Sequence, residues 1–311
     1  MDSKLNLSAS PHIHSHHSTR NVMLDVVLAL LPATVAGIVI FGMRALFVVA
    51  VCVAVAVLSE FVFNLIVKKQ QTIDDCSAIV TGLLLALNLP ANIPIWQAAF
   101  GSAFAIVVVK CFFGGIGKNI VNPAITARVF MLVSFSVTMT KAAFPTVDTV
   151  ATATPLSEFM DKKPITPSLV DLFLGNYGGA IGETCTVALI LGGIYLLVRR
   201  VIHWHLPVAF IGTTYIFTLF LVDFDFATAL SLTLSGGLFI GAIFMATDYV
   251  TSPATSFGQL LFGVGCGIFT VIIRHFAGYP EGVSFAILLM NILTPYIDIW
   301  TARKPFGGAK A

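Results

Sequence analysis

Long apolar runs alternate with short polar breaks along the chain, and the runs have the length of membrane-crossing helices. A helix needs about 20 apolar residues to cross a bilayer core. Runs near that length lie at roughly 22–42, 45–67, 77–90, 94–113, 123–140, 183–199, 206–222, 226–247, 257–273 and 282–300. The 77–90 run ends in Asn88-Leu89-Pro90, and the 123–140 run opens at Asn122-Pro123. Short, proline-marked segments of this kind predict helices that stop partway or enter from a re-entrant turn. The pattern predicts an all-α integral membrane protein of about ten transmembrane helices.

Basic residues orient the array, because they concentrate in cytoplasmic loops. With the N-terminus in the cytoplasm, Arg20, Lys68, Lys69, Lys110, Lys118, Arg199, Arg200, Arg303 and Lys304 fall on the inner side. Arg44, Lys141, Lys162, Lys163 and Arg274 fall outside. An even helix count then returns the C-terminus to the cytoplasm. The long polar connection at 141–181, with Pro145, Asp148, Pro155, Glu158, Asp161, Pro164, Pro167 and Asp171, lies on the outer face. Connections of that length in a compact protein are usually functional or disordered.

The stretches on either side of this connection echo each other. Ala99-Phe100-Gly101, a helix and Lys110-Cys111-Phe112-Phe113-Gly114-Gly115 return as Leu261-Phe262-Gly263, a helix and Arg274-His275-Phe276-Ala277-Gly278-Tyr279. Ser77 to Asn88, centred on Gly82, returns as Ser235 to Asp248, centred on Gly241. An odd number of helices per half inserts the second half upside down, the inverted-repeat plan of many transporters. The expected organisation is a cytoplasmic tail (1–20), a first membrane repeat of five helices (21–140), an outer loop (141–181), a second inverted five-helix repeat (182–300) and a cytoplasmic tail (301–311).

Composition agrees: 57% of residues are hydrophobic and 10% charged, against about a quarter charged in a soluble domain. A net charge of +2 gives no footing for a nucleic-acid partner. The first twenty residues are polar and lack an apolar signal core, so the first apolar segment is expected to be a retained helix. The five cysteines form no C-x-x-C pair, and neither a disulfide framework nor a metal site is expected of them. The histidines at 12, 14, 16 and 17 read as a solvated or subunit-contacting tail.

Ionisable residues in apolar segments are costly and count as functional candidates: Asp25, Glu60, Lys110, Arg128, Glu183, Asp248, Arg274, Glu281 and Asp298. Those near helix ends can snorkel or cap. Asp25, inside the first helix, is expected to face a cation path or to pair with Arg128. In the outer loop, Asp148-Thr149-Val150-Ala151-Thr152-Ala153-Thr154-Pro155-Leu156 is a hydroxyl-rich segment ahead of a proline, and by residue type alone its threonines cap turns.

The D-x-x-x-x-A-T-P-L string in that loop resembles the flavin-attachment motif of the RnfD and NqrB family of membrane subunits. The resemblance extends along the chain through Ser10-Pro11-His12, Ala29-Leu30-Leu31-Pro32-Ala33, Asp75 to Pro90, Gly114 to Asn119 with Asn122-Pro123-Ala124, Gly182-Glu183-Thr184, Met245-Ala246-Thr247-Asp248 with Thr251-Ser252-Pro253, and Tyr279 to Asn291. The lack of the N-terminal extension expected of the NqrB type points to the RnfD branch. The family's subunits belong to ion-translocating ferredoxin:NAD and NADH:quinone oxidoreductase complexes.

The resemblance implies FMN bound through its phosphate to the hydroxyl of Thr154, although Ala151 and Thr152 stand where Ser and Gly often do, which leaves Thr152 as a second hydroxyl. It also implies a non-covalent riboflavin near the cytoplasmic end of the fifth segment, with Asn119 and Asn122 at a ring edge. By residue type alone, the same asparagines would satisfy backbone groups freed by a broken helix. Two flavins on opposite faces would make the subunit a transmembrane electron wire. It would not be catalytic alone. Its implied partners are other membrane and peripheral subunits, including a second covalent-FMN subunit and iron–sulfur subunits, since the cysteines here are wrongly spaced for clusters. The expected location is the inner (cytoplasmic) membrane. The alternatives are a passive solute channel or secondary transporter, a structural assembly subunit without flavin, and an NqrB-like quinone-reductase subunit.

Overall fold

The computed structural model describes residues 18–140, 154–160, 167–277 and 282–302. The histidines at 12, 14, 16 and 17, the loop from 141 to 153 with Thr152, Glu281, and the basic pair Arg303 and Lys304 lie outside the described residues.

Helix α1 (Thr19–Phe41) opens on Ser18, whose hydroxyl accepts from the Asn21 amide at 3.3 Å. Gly42, at φ +75°, turns the chain directly into α2 (Met43–Val67). A 3₁₀ turn (Ile73–Asp75) leads to α3 (Ser77–Leu87). Next come α4 (Ile95–Phe104), which runs on as a π-helix over Ala105–Cys111, then α5 (Pro123–Ser134) and the single turn α6 (Ser136–Met139). Two short helices, α7 (Pro155–Met160) and α8 (Leu169–Leu174), lie in the central connection. The second half comprises α9 (Thr186–Val198), α10 (His205–Leu221), α11 (Phe226–Leu234), α12 (Leu238–Ile240) with a π-helical extension over Gly241–Met245, α13 (Ser256–Phe276) and α14 (Gly282–Thr301). Among the described residues there is no strand, and one isolated bridge joins Pro90 to Ala180.

Helices α1, α2, α13 and α14 are long and apolar enough to cross a membrane, and α11 with α12 makes a fifth if the bent pair is one span. The remaining apolar helices, α3, α4 with its π-extension, α5, α9 and α10, have 10–17 residues. The 226–247 run, expected as one helix, breaks by 64° between Leu234 and Leu238. Gly236 sits there at φ +74°, a left-handed conformation that glycine adopts without a Cβ clash.

The surface pattern is inverted relative to a water-soluble bundle. Leu24, Leu28, Leu31, Val35 and Val39 form an exposed apolar stripe along α1 at helical spacing. The opposite, buried face carries Asp25, Ala29, Ala33, Thr34 and Gly37. Small residues at helix contacts let backbones approach in lipid, where apolar side chains gain nothing by leaving the solvent. Helix α9 packs on α1 this way, with Gly192 facing the Ala29 carbonyl. Gly82 likewise seats α3 on Cys52 and Ala56 of α2, and Gly263 and Gly267 seat α13 on α10. One buried cluster runs through both halves, from Ala29 and Leu85 to Phe244 and Met290.

This packing generates a stability test. A side chain at Gly192 would collide with the Ala29 carbonyl, whereas Gly212 has nothing within 4 Å of a Cβ position. Gly192→Val should cost about 3 kcal/mol or more, at the upper end of overpacking, and should lower the melting temperature in detergent. Gly212→Val should leave it near the parental value.

Candidate functional site

Polar side chains are concentrated where helices break. Asn122 precedes Pro123 at the start of α5, and its Oδ1 accepts from the Ala124 and Ile125 amides at 3.0 and 3.3 Å. A helix start leaves four amides without partners, and asparagine is among the best residues to cap them. The Asn122 Nδ2 donates at 3.1 Å to the Met245 carbonyl, at the end of the π-segment of the other half. Asn291, with its amide oriented to satisfy both neighbours, accepts from the Asn122 backbone N–H and donates to the Thr251 carbonyl, each at 3.2 Å. Asn88 at the end of α3 donates to the Leu84 carbonyl at 2.7 Å and contacts Met245 Sδ at 3.5 Å. The Ile181 and Gly182 amides donate to the Leu89 and Leu87 carbonyls at 3.0 and 2.8 Å.

A buried charged group adjoins this seam. Arg128 on α5 donates to Asn88 Oδ1 at 2.5 Å and lies 3.6 Å from the Glu183 carboxylate. Glu183 also accepts from the Ala180 amide at 2.9 Å. Asp25 does not pair with Arg128. It faces Arg199 at 3.2 Å and accepts from the Tyr195 hydroxyl at 2.9 Å, both from the C-terminal part of α9 and its cap. Helix α1 runs beside α9, which puts Asp25 against residues one turn apart near the far end of that helix.

A second buried pair lies where α2, α3 and the π-segment of α4 meet. Lys110 Nζ is 2.8 Å from Glu60 and donates to Ser77 Oγ at 2.6 Å. Thr72 donates to the other Glu60 oxygen at 2.6 Å, and Asn64 donates to Thr72 at 3.1 Å. Both charged side chains are at most 3% exposed. A π-segment carries an additional residue in its turn and recurs at functional positions; here it ends just past Lys110.

Thr154 immediately precedes α7 and is half-buried. Its Oγ1 accepts from the Ser157 amide and bonds the Ser157 hydroxyl, both at 3.2 Å. Leu156 lies on the break between α11 and α12, meeting Gly236. Beside α7 is a cavity with largely apolar walls, lined among others by Leu156, Phe159, Leu232 and Val271, and by the basic side chains of Arg274 and His275. The cavity has room for about 30 Å³, far less than a flavin ring fills, so a flavin on Thr154 would lie outside it.

Asn119 is buried in the loop after the π-segment, and its Nδ2 donates to the Val121 carbonyl at 3.1 Å. Gly114, Gly115 and Gly117 in that loop all have positive φ. Thr154 stands at the head of α7, two residues before Leu156 of the cavity wall, whereas Asn119 and Asn122 border the loop that follows α4 and opens α5. No group of three or more potential metal ligands occurs among the described residues. Sequence reasoning missed the cross-half roles of Asn88 and Asn291. Their position in otherwise apolar runs was the available signal.

The family model described as NQR2, RnfD, RnfE matches residues 6–307. The chain is 46% identical over 310 residues to the subunit designated D in the Na(+)-translocating ferredoxin:NAD(+) oxidoreductase complex of Acetobacterium woodii, covering 98% of this chain and 96% of that one. It is 42% identical to the corresponding subunit of the proton-translocating ferredoxin:NAD(+) oxidoreductase complex of Clostridium ljungdahlii, covering 97% and 96%. Its counterpart in the ion-translocating oxidoreductase complex of Stutzerimonas stutzeri is 36% identical, covering 93% and 92%.

Asn122 carries a direct prediction. Asn122→Leu removes the α5 cap and the bond to Met245 and should cost about 2–4 kcal/mol, from a lost cap and an unsatisfied buried carbonyl. Asn122→Ser keeps a capping oxygen and should lose about half as much. Thermal unfolding of both variants in detergent checks the ranking, and equal losses would mean that the cap contributes nothing.

Proposed function

Because the chain belongs to the NQR2, RnfD, RnfE family, we propose that it is a membrane subunit of an Rnf-type complex, in which electron transfer from ferredoxin to NAD drives a sodium ion or proton across the cytoplasmic membrane. The observation that carries this reading is the match along nearly the full length of both chains to subunits named for that reaction. The subunit is one part of an oxidoreductase and works with other membrane and peripheral subunits, including a second covalent-FMN subunit and iron–sulfur subunits.

The architecture is ten crossings in two inverted repeats, with both termini cytoplasmic and the 141–181 connection outside. Support comes from corresponding elements in each half. The third is a short helix in one half and a bent pair in the other, α3 and α11 with α12. The fourth carries a cation near its end that reaches the serine beside the third. Lys110 donates to the Ser77 hydroxyl, and Arg274 donates to the Ser235 carbonyl at 3.2 Å.

FMN is carried on the outer face as a phosphoester of Thr154. When bound, it supplies one- and two-electron transfer from a ring the tether does not touch. The Thr154 hydroxyl is presented at the head of α7, and Leu156 fixes that short helix against Gly236. Riboflavin is held near the inner face by the Gly114–Asn122 loop. Asn119 presents its side chain there, and Asn122 holds the start of α5 in place.

Thr154→Val should abolish covalent flavin while leaving the subunit in the membrane, because a half-buried loop hydroxyl contributes little to the core. The readouts are ultraviolet fluorescence of the denatured subunit on a gel and mass spectrometry of the peptide spanning 142–162. Flavin retained on that peptide would move the attachment to Thr152. A passive channel or flavin-free assembly subunit would show no fluorescent band even in the parental chain.

Topology gives a separate test at two exposed positions. Val170→Cys should react with an impermeant thiol reagent from outside intact cells, and Gln70→Cys should react only after permeabilisation. The reverse pattern would overturn the orientation.

A further inference from the structure

Two short helices stop partway, and one buried ion pair meets the ends of both. Helix α3 has 11 residues and α11 has 9. At the rise of an α-helix they extend about 16 Å and about 14 Å, each near half of a bilayer core of about 30 Å. In the inverted arrangement they enter from opposite faces, so Asn88 at the end of α3 and Gly237 just beyond the end of α11 lie near the middle. Arg128 donates to Asn88 Oδ1 at 2.5 Å and lies 3.6 Å from the Glu183 carboxylate. A Cβ at Gly237 would lie 3.0 Å from Arg128 Nη1 and 3.3 Å from Glu183 Oε2. Arg128 belongs to the first half and Glu183 to the second, and both side chains are at most 3% exposed. The Ile181 and Gly182 amides, beside Glu183, meet the Leu89 and Leu87 carbonyls at the end of α3.

Transporters built from inverted repeats bind their cargo at this place, between the ends of discontinuous helices near the midplane. Here the chain's own side chains fill it. We propose that the Arg128–Glu183 pair is a seal that closes the centre of this subunit to ions, so that the cation moved by the complex does not run back between the two halves. The inference rests on the inverted-repeat reading. A permeating cation needs oxygen ligands in exchange for its hydration shell. The carboxylate that could supply them is engaged by Arg128 and by the Ala180 amide at 2.9 Å, and the Asn88 side-chain oxygen is engaged by Arg128. The seal needs no net charge at the centre, because the two groups are of opposite sign. It acts by filling the space and by committing these oxygens. Drawing the two apart would leave each charge without its partner in a low-dielectric interior, a costly step that keeps the seal shut.

The test uses the whole complex, purified with Glu183→Ala, Asn88→Ala or Gly263→Ala in this subunit and reconstituted into liposomes without ferredoxin or NAD. Passive entry of radioactive sodium, and of protons read by a trapped pH dye, is measured under an imposed membrane potential. The parental complex should leak little more than empty liposomes. Glu183→Ala should raise the entry of sodium ions or protons about tenfold, the change for a crossing barrier lowered by about 1.4 kcal/mol. Asn88→Ala removes one hydrogen bond to Arg128 and leaves the ion pair, so it should give a smaller rise and carries the test if Glu183→Ala fails to assemble. Gly263→Ala strains the contact of α13 with α10, where a Cβ would lie 2.8 Å from the Leu206 carbonyl oxygen. It should lower the melting temperature without a leak, which separates an opened seal from general loosening. Parental entry rates in assembled Glu183→Ala and Asn88→Ala complexes would overturn the proposal, as would an equal leak in Gly263→Ala. Thiol labelling that placed positions 70 and 170 on the same face would instead overturn the inverted arrangement.

Discussion

Hydrocarbon offers no hydrogen-bond partner, so every helix that stops short of a full crossing must have its open backbone groups met by the protein itself. Much of the polar chemistry of this chain follows from that constraint. Asn122 meets two amides at the start of α5 and then reaches the Met245 carbonyl in the other half. Ile181 and Gly182 meet the carbonyls at the end of α3. The broken elements of one half are completed by atoms of the other, which joins the halves through directional bonds as well as through apolar contact.

Buried charges follow the same logic with higher stakes. A charged side chain in a low-dielectric interior is tolerated when paired and hydrogen-bonded, and removing one partner leaves the other strongly destabilising. Lys110 meets Glu60 and Ser77, while Thr72 completes Glu60. Arg128 meets Asn88 and Glu183. Each of the two groups gathers side chains from at least three chain segments. They fix how helices meet in a setting where apolar contact alone discriminates little between neighbours.

Most helix positions were legible in the sequence because apolar length is the dominant signal in lipid. The expected 45–67 run became Met43–Val67, and 206–222 became His205–Leu221. The break at Ser235–Gly237 was not legible, because Gly236 and its neighbours leave the apolar run uninterrupted. The π-segment ending at Cys111 was hidden for a similar reason, since one additional residue per turn leaves composition unchanged. The partner of Asp25 was not legible either, because charge complementarity names candidates without saying which helix lies alongside. Arg199 is 174 residues away in sequence, and its selection depends on α1 packing against α9. For the candidate site, the Thr154-Pro155-Leu156 string was readable, but its place against Gly236 and Arg274 required the fold.

The contact between Gly192 and the Ala29 carbonyl has a kinetic consequence. Two helices this close resist sliding, because a shift along the axis would bring a neighbouring side chain against the Ala29 carbonyl. Machines that work by rocking one half of a molecule against the other need a lubricated interface between them. Electron tunnelling needs the opposite, since its rate falls steeply with every added ångström between donor and acceptor. A closely packed seam suits the second requirement better than the first.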